Sequence, residues 1–399
     1  MKKLLLSVIG IYIGILASFS QSAVNTDSAY RPRKLTFEEA NLVSSYYSQN
    51  GNHSAVTGGI GSEKLTDLAN VIDVKFISYD KRFRKHSLIG ELGIDHYTSA
   101  SSDKIDPSTI SSASHADTRF YPSLNWTMEN EKKASIVGAG LSFSNEFDYR
   151  SFGANLNFSK KTNNKSGEFF AKIQAYLDQV SLVYPIEFRT GGGSNREHDY
   201  PTTARNTIDG TLSWTQIINK QFQVMLETEL VHQQGYLGLP FHRVYFTDNS
   251  VHIENLPSSR FKIPVGLRAN YFLGDNFIVR VWVRHYYDNW GINSNAFQLE
   301  TVFKINPFLS VTPFYRFYQQ TAADYFAPYK IHTSADKYYT SNYDLSKFNS
   351  NFYGVGFRIA PPAGVFKIQR LSSLELRYGH YQKTTGMNAN IISLNLKLK

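Results

Sequence analysis

Arg260, Lys262, Arg268, Arg280, Arg284, Lys304, Arg316, Arg358 and Arg377 recur through the second half of the sequence, with Glu227, Glu229, Glu300 and Glu375 among them. If each lies in an extended strand, alternate residues share a face and these charges gather on one side of a sheet. Two chemistries follow. Cations lining a wet passage with low-dielectric walls focus a field that draws in small anionic solutes. On that reading Lys262, Arg268, Arg280, Arg284, Arg316, Arg358 and Arg377 are the ligand contacts, with Glu227 and Glu229 as acidic neighbours. Alternatively, the arginines and glutamates pair across strands and brace a wall. Spacing alone leaves both open.

Other titratable residues fall between the alternating stretches: His115, Glu197, His198, Asp199, His242, Asp248, His252, Glu254, His332 and Asp336, with Asp103, Asp106 and Asp117 nearby. Oxygen-rich loops suit calcium, and histidine with carboxylate suits zinc, but neither ligand spacing is present, so no metal site is assigned. Hydrolysis would need a nucleophile beside a base, and the loop histidines cannot be paired with any serine from sequence alone, so no catalytic residues are assigned. Gly191 to Gly193 lie without the strand and helix that a phosphate cradle needs, which leaves a flexible connector. The expectation is a protein without catalytic residues or a cofactor.

The elements that must position the charges are legible in residues 277 to 287, FIVRVWVRHYY. As a strand it places Phe277, Val279, Val281 and Val283 on one face and Ile278, Arg280, Trp282 and Arg284 on the other. A soluble sandwich would bury the valines, and a membrane barrel would turn them to lipid. The same alternation runs through RFKIPVGLRANYF at 260, RNTIDGTLSWT at 205, QFQVMLETEL at 221 and NANIISLNLKLK at the end. Length and connections decide between the two. From residue 53 onward the sequence divides into about 16 segments of roughly 10 to 13 residues, the length of a tilted span of hydrocarbon. Their connections alternate in size. DKRFRK near 80, NEKK near 130, KTNNKS near 161, INK near 218, LGDN near 273, INP near 305 and PPAG near 361 are brief; residues 97 to 117, 179 to 204, 234 to 260 and 320 to 350 are long. Shorter connections near 62 to 68, 145 to 149, 288 to 294 and 383 to 388 share the long side.

Short periplasmic turns and long outer loops mark outer-membrane barrels, and a sandwich has no reason to segregate them. Aromatic residues cluster near both segment ends, as membrane interfaces favour. The expected fold is therefore all-β, a transmembrane antiparallel up-and-down barrel of about 16 strands over 53–399, with valines toward lipid and arginines toward a wet lumen. His96 and His380 fall on the outward parity.

Residues 1–20 have the form of a secretory signal, with Lys2 and Lys3, an apolar run from Leu4 to Leu16, and small residues to Ser20. Over 21–52, Thr36 and Glu39 have capping-box spacing, and Leu42, Val43, Tyr46 and Tyr47 fit one helical face, so a short helical lead-in is expected as a periplasmic or plug segment. The formal charge of +9 is scattered, with no basic block to track nucleic acid. With no cysteine, thiolate metal sites, haem attachment and cysteine catalysis are excluded.

Several longer stretches resemble a known family. ELGIDHYTSASSDKIDPSTISSAS, DTRFYPS, AYLDQV, DYPTTARN, QGYLGLPFHRVYF, NYFLGDNF, YYTSNYDLSKFNSNF, GFRIAPPAGVF and ELRYGHY are similar to the Gram-negative outer-membrane proteins catalogued as domain of unknown function 3570. The match runs from about residue 50 to the C-terminus and supplies no catalytic residues. It implies location in the bacterial outer membrane, in contact with its lipid. It also implies an envelope redox context, with a small lipoprotein, a thioredoxin-like protein and a flavin transferase as associates. Two main functional expectations result, a channel or binding lumen for small anionic solutes, or a non-conducting scaffold for a lipoprotein or redox partner; an outer-membrane enzyme ranks third, with no residues assigned to it.

Overall fold

The computed structural model describes residues 33–98, 116–189 and 200–399. The expected signal over 1–20, the first part of the lead-in, Gly191 to Gly193, and the loop residues Asp103, Asp106, His115, Glu197, His198 and Asp199 lie outside the described residues. Among the described residues the strands are β1 (Thr36–Gly51), β2 (Glu63–Tyr79), β3 (Lys85–Tyr97), β4 (Asp117–Asn130), β5 (Ser135–Asn145), β6 (Tyr149–Lys161), β7 (Gly167–Ser181), β8 (Thr202–Asn219), β9 (Phe222–Gly235), β10 (Arg243–Tyr245), β11 (Val251–Ile253), β12 (Ser259–Leu273), β13 (Phe277–Asp288), β14 (Asn293–Asn306), β15 (Leu309–Gln320), β16 (Phe348–Ile359), β17 (Leu371–Lys383) and β18 (Met387–Leu398). All but β10 and β11 form one closed antiparallel barrel, in which each strand pairs with its neighbours in sequence and β1 pairs with β18. The small β10/β11 hairpin is set within the connection between β9 and β12.

Closure explains why the lead-in is a strand. The helix expected from Thr36, Glu39, Leu42, Val43, Tyr46 and Tyr47 does not form, and the barrel begins at Thr36, not at 53. A ring opened there would leave the outer edges of β2 and β18 unpaired in hydrocarbon, at several kcal/mol per orphaned backbone group. Pairing of Leu42 with Leu396 and Ile72, and of Tyr46 with Ile392 and Leu68, removes both edges. The capping residues are diverted accordingly: the Thr36 hydroxyl donates to the Ile77 carbonyl, and Glu39 pairs with Lys397 at 2.7 Å. Residues 53 to 62, where the barrel was expected to open, instead form the first outer connection, with one 3-10 turn at Ala55–Thr57, and the connection expected near 62 to 68 falls almost wholly within β2.

The register fixes parity around the ring. Glu227 stands opposite Gly266, Gly266 opposite Arg284, Arg268 opposite Trp282, and Trp282 opposite Gln298, so one set of alternate residues passes from strand to strand. This set includes Arg284, Tyr286 and Arg316, which meet around an internal chamber. The other set, with Leu226, Leu267 and Val283, lies on the outside, where Leu226 is 54% and Leu267 47% exposed. Brief turns at 80–84, 131–134, 162–166, 220–221, 274–276 and 307–308 share one end with the start of β1 and the end of β18; the connection at 360–370, expected to be brief, is on that end too but is long and holds a 3-10 turn, Val365–Lys367, while the other long connections share the opposite end.

Parity gives a test. Leu267 lies in mid-strand on the lipid face, so Leu267→Arg is expected to destabilise the barrel by about 2–4 kcal/mol, as a charge at the bilayer midplane does. Asn270→Arg, on the lumen face of the same strand, is expected to cost about 1 kcal/mol or less. Reversible denaturant unfolding in lipid vesicles measures both, and an equal cost for the two substitutions would contradict the assigned faces.

Candidate functional site

The lumen wall built by β12 to β18 is basic, and its cations fall into two groups. The first is neutralised. Glu300 of β14 accepts from Arg280 on β13 at 2.6 Å and from Arg377 on β17 at 2.8 Å, and Arg377 also lies 3.5 Å from Glu375. Arg268 lies 3.8 Å from Glu227, Arg284 lies 3.9 Å from Glu229, and Arg260 pairs with the fully buried Asp288. These are the wall-bracing pairs that a charge-lined barrel requires.

The second group lacks an acidic partner. Lys262 and Arg358 face the lumen with no ion pair among the described residues. Arg316 on β15 is the better placed. Its Nε and Nη2 donate to the Gln298 amide oxygen at 2.8 and 2.6 Å, and its guanidinium lies 5.4 Å from the Trp282 ring and 5.9 Å from the Phe352 ring. A neutral amide orients the guanidinium without cancelling its charge.

Arg316 opens on a chamber of about 820 Å³, whose wall also includes Arg260, Trp282, Arg284, Tyr286 and Tyr318. Of the cations singled out as ligand contacts in sequence, the structure brings Arg284 and Arg316 here; Lys262, Arg268, Arg280, Arg358 and Arg377 lie elsewhere on the wall. The chamber also uses Tyr47, Phe352, Tyr381 and Lys383, which sequence reasoning missed. Parity on β16 and β17 would have found Phe352, Tyr381 and Lys383; Tyr47 was hidden by its helical spacing.

Folded outer connections roof the chamber. Asp344 and Leu345, from the connection between β15 and β16, line its upper side. The Lys383 ammonium fastens that connection by donating to Asp344 Oδ1 at 2.8 Å, and the Gln320 amide donates to the Ser346 carbonyl at 2.6 Å. Above it, connections from distant parts of the ring are knitted together. Arg243 of β10 donates to the Val56 carbonyl at 2.9 Å and clasps Glu187 through two bonds of 2.6 and 3.0 Å. The β1/β2 and β9/β12 connections are diametrically opposite in the closed order, so a bond between them must span the mouth. Their approach is close enough to demand glycine: at Gly58, with φ of 73°, a Cβ would sit 2.9 Å from the Arg243 carbonyl oxygen. His53 stacks on Tyr343 at 3.5 Å, and Asn255 donates to the Lys337 carbonyl at 2.8 Å, binding in the β15/β16 connection.

The loop histidines serve this cap. His332 lies 3.3 Å from Asp336 through Nδ1 and 3.0 Å from the Thr340 carbonyl through Nε2, and His252 bonds Ser250. Among the described residues, no three His, Asp or Glu side chains converge as metal ligands. His96 and His380 bond Thr118 and Asn390 on the outward face.

A family profile described as a protein of unknown function, DUF3570, matches residues 94–391. The chain belongs to this family. No curated protein matches its sequence. Solved barrels with similar folds include OccK1 (OpdK) of Pseudomonas aeruginosa, at 9% identity and a TM-score of 0.41 over 92% of this chain and 99% of that one. They also include a BenF-like porin of Pseudomonas fluorescens, at 8% identity and 0.40 over 92% and 100%, and OccD3 (OpdP) of P. aeruginosa, at 8% and 0.43 over 93% and 92%. This DUF3570 member is a 16-stranded β-barrel of the bacterial outer membrane, with outer connections that meet across its mouth.

The cap contains a buried acid and base. His242 is fully buried, with neither ring nitrogen hydrogen-bonded and Nδ1 3.8 Å from Glu254 Oε1. Glu254 accepts from the Thr340 hydroxyl and from the Leu239 N–H at 2.6 Å. Burial pushes His242 from 6.5 down to about 3, aided by His332, and pushes Glu254 from 4.5 up to about 7 against the bonds from Thr340 and Leu239. The closed cap therefore holds both groups neutral. Opening lets His242 gain a proton below pH 6.5 and Glu254 lose one above 4.5. Between these values the two slopes cancel; below them only the histidine remains, and closure weakens by about 1.4 kcal/mol per pH unit. Hydrogen exchange over 236–258 should show protection that is flat from pH 4.5 to 6.5 and falls below that range. Glu254→Gln removes the opposing slope, so protection should then rise steadily up to pH 6.5; a profile unchanged by the substitution would contradict the assignment.

Proposed function

We propose that this barrel is a passage and binding lumen for small anionic solutes. The observation that carries the reading is Arg316: an orienting amide, two aromatic rings and no carboxylate leave its charge available to the chamber. Charge in a low-dielectric wall acts at longer range than in water, so one unneutralised guanidinium is enough to bias entry. The paired arginines around Glu300 hold the wall and set the shape of the bore. They contribute little to that bias, because their fields are largely cancelled at short range.

One observation favours a second reading, a non-conducting scaffold that holds an envelope lipoprotein or redox partner. The outer connections span the mouth through Arg243, as a permanently open channel would not need. The two readings separate in planar bilayers. With a salt gradient, the wild-type barrel is expected to conduct and to reverse at a potential of the anion-selective sign. Arg316→Gln should reduce that selectivity, and Arg243→Ala should raise conductance by loosening the cap. Cation selectivity would overturn the anion reading. Silence from both the wild type and Arg243→Ala, with a second envelope protein co-purifying in mild detergent, would establish the scaffold.

A further inference from the structure

The chamber beneath the cap pairs its cations with acids at all but one position. Arg260 faces Asp288, Arg284 faces Glu229, and Lys383 faces Asp344. Arg316 alone among the chamber's cations meets no acid among the described residues, and its Nη1 makes no hydrogen bond there. A ligand that completes this site supplies one negative charge. A second charge would have to displace an existing pair, at the cost of leaving Asp288, Glu229 or Asp344 uncompensated.

The remaining lining sets the body of the ligand. Trp282, Tyr286, Tyr318, Phe348 and Phe352 bring aromatic rings to the wall, which outweigh the aliphatic side chains of Ile292, Leu345 and Ile391 in area offered. Ring faces and edges pack a flat π-system in offset or edge-on geometry, which an aliphatic body of equal area cannot match. A chamber of about 820 Å³ lies within the range of small-molecule sites, with room for one or two rings.

We propose that the chamber is a binding site for a flat organic monoanion, an aromatic carboxylate, with its carboxylate on Arg316 and its ring among Trp282, Tyr318 and Phe352. This names the solute class for the anion passage proposed above and rests on that reading. Guanidinium and carboxylate meet through parallel N–H donors, so a planar carboxylate lies coplanar with Arg316 and its ring extends into the aromatic lining. Lys383 links this site to the cap. An anion drawn toward its ammonium competes with Asp344, the fastening of the β15/β16 connection.

The full-length barrel in detergent is titrated calorimetrically with sodium benzoate, sodium cyclohexanecarboxylate, sodium acetate and benzyl alcohol, with tryptophan fluorescence as a second readout. Benzoate is expected to bind at least about tenfold more tightly than each of the others, a difference of about 1.4 kcal/mol. Arg316→Gln should weaken benzoate by about tenfold or more, and Arg316→Lys by less, since it keeps the charge and loses the planar fork. Trp282→Leu should weaken benzoate while leaving acetate unchanged. Heat-modifiable migration on gels confirms that each variant retains its barrel. If cyclohexanecarboxylate or acetate binds as tightly as benzoate, the aromatic assignment is overturned and the anion reading stands. If benzyl alcohol binds as tightly as benzoate and Arg316→Gln changes nothing, the anion reading falls with it. Absence of heat and of fluorescence change with all four probes overturns the site.

Discussion

The structure depends on one constraint: within hydrocarbon, every backbone N–H and C=O must find a partner in the chain itself. Only a closed ring of strands satisfies this without helices. Closure recruits Thr36–Gly51, whose local spacing suits a helix, because the edges it covers are worth more than its helical preference. Closure also propagates parity. Once β1 meets β18 in register, the facing of every residue follows, and greasy side chains on the outside and charges on the inside become one geometric fact rather than a set of separate choices.

Much of this was legible before the structure. Alternation in FIVRVWVRHYY and its fellows, strand lengths that fit a membrane, and the segregation of short and long connections gave the all-β barrel, its location and its strand number. Two features were not legible. The N-terminal strand was masked because Leu42, Val43, Tyr46 and Tyr47 fit one helical face, while as a strand they split between both faces and leave no alternation to read; only the demand for closure makes them a strand. The cap was masked because Arg243, Glu187 and Val56 are far apart in sequence and acquire meaning only when opposite sides of the ring are brought together.

The candidate site shows the same division. Parity identified the basic wall but could not say which cations are spent on neighbours. Arg280 and Arg377 converge on Glu300, which lies on a third strand, β14. Arg316 is paired in register with Gln298, and that single amide is the difference between a residue that braces the wall through an acid and one left without an acidic partner. Wall and chamber are thus made from the same residue type, sorted by what stands across the strand. Roof and chamber are continuous, because the β15/β16 connection that lies over the chamber also lines it and is held by Lys383 of its wall.

The central claim is that the even-numbered residues of β13 face water and their odd-numbered neighbours face lipid. The chain has no cysteine, so single substitutions Val281→Cys, Trp282→Cys, Val283→Cys and Arg284→Cys can be probed in lipid vesicles with a small, charged thiol reagent. The account predicts rapid modification at positions 282 and 284 and protection at 281 and 283. Modification in the reverse pattern, or equal modification at all four positions, would contradict it.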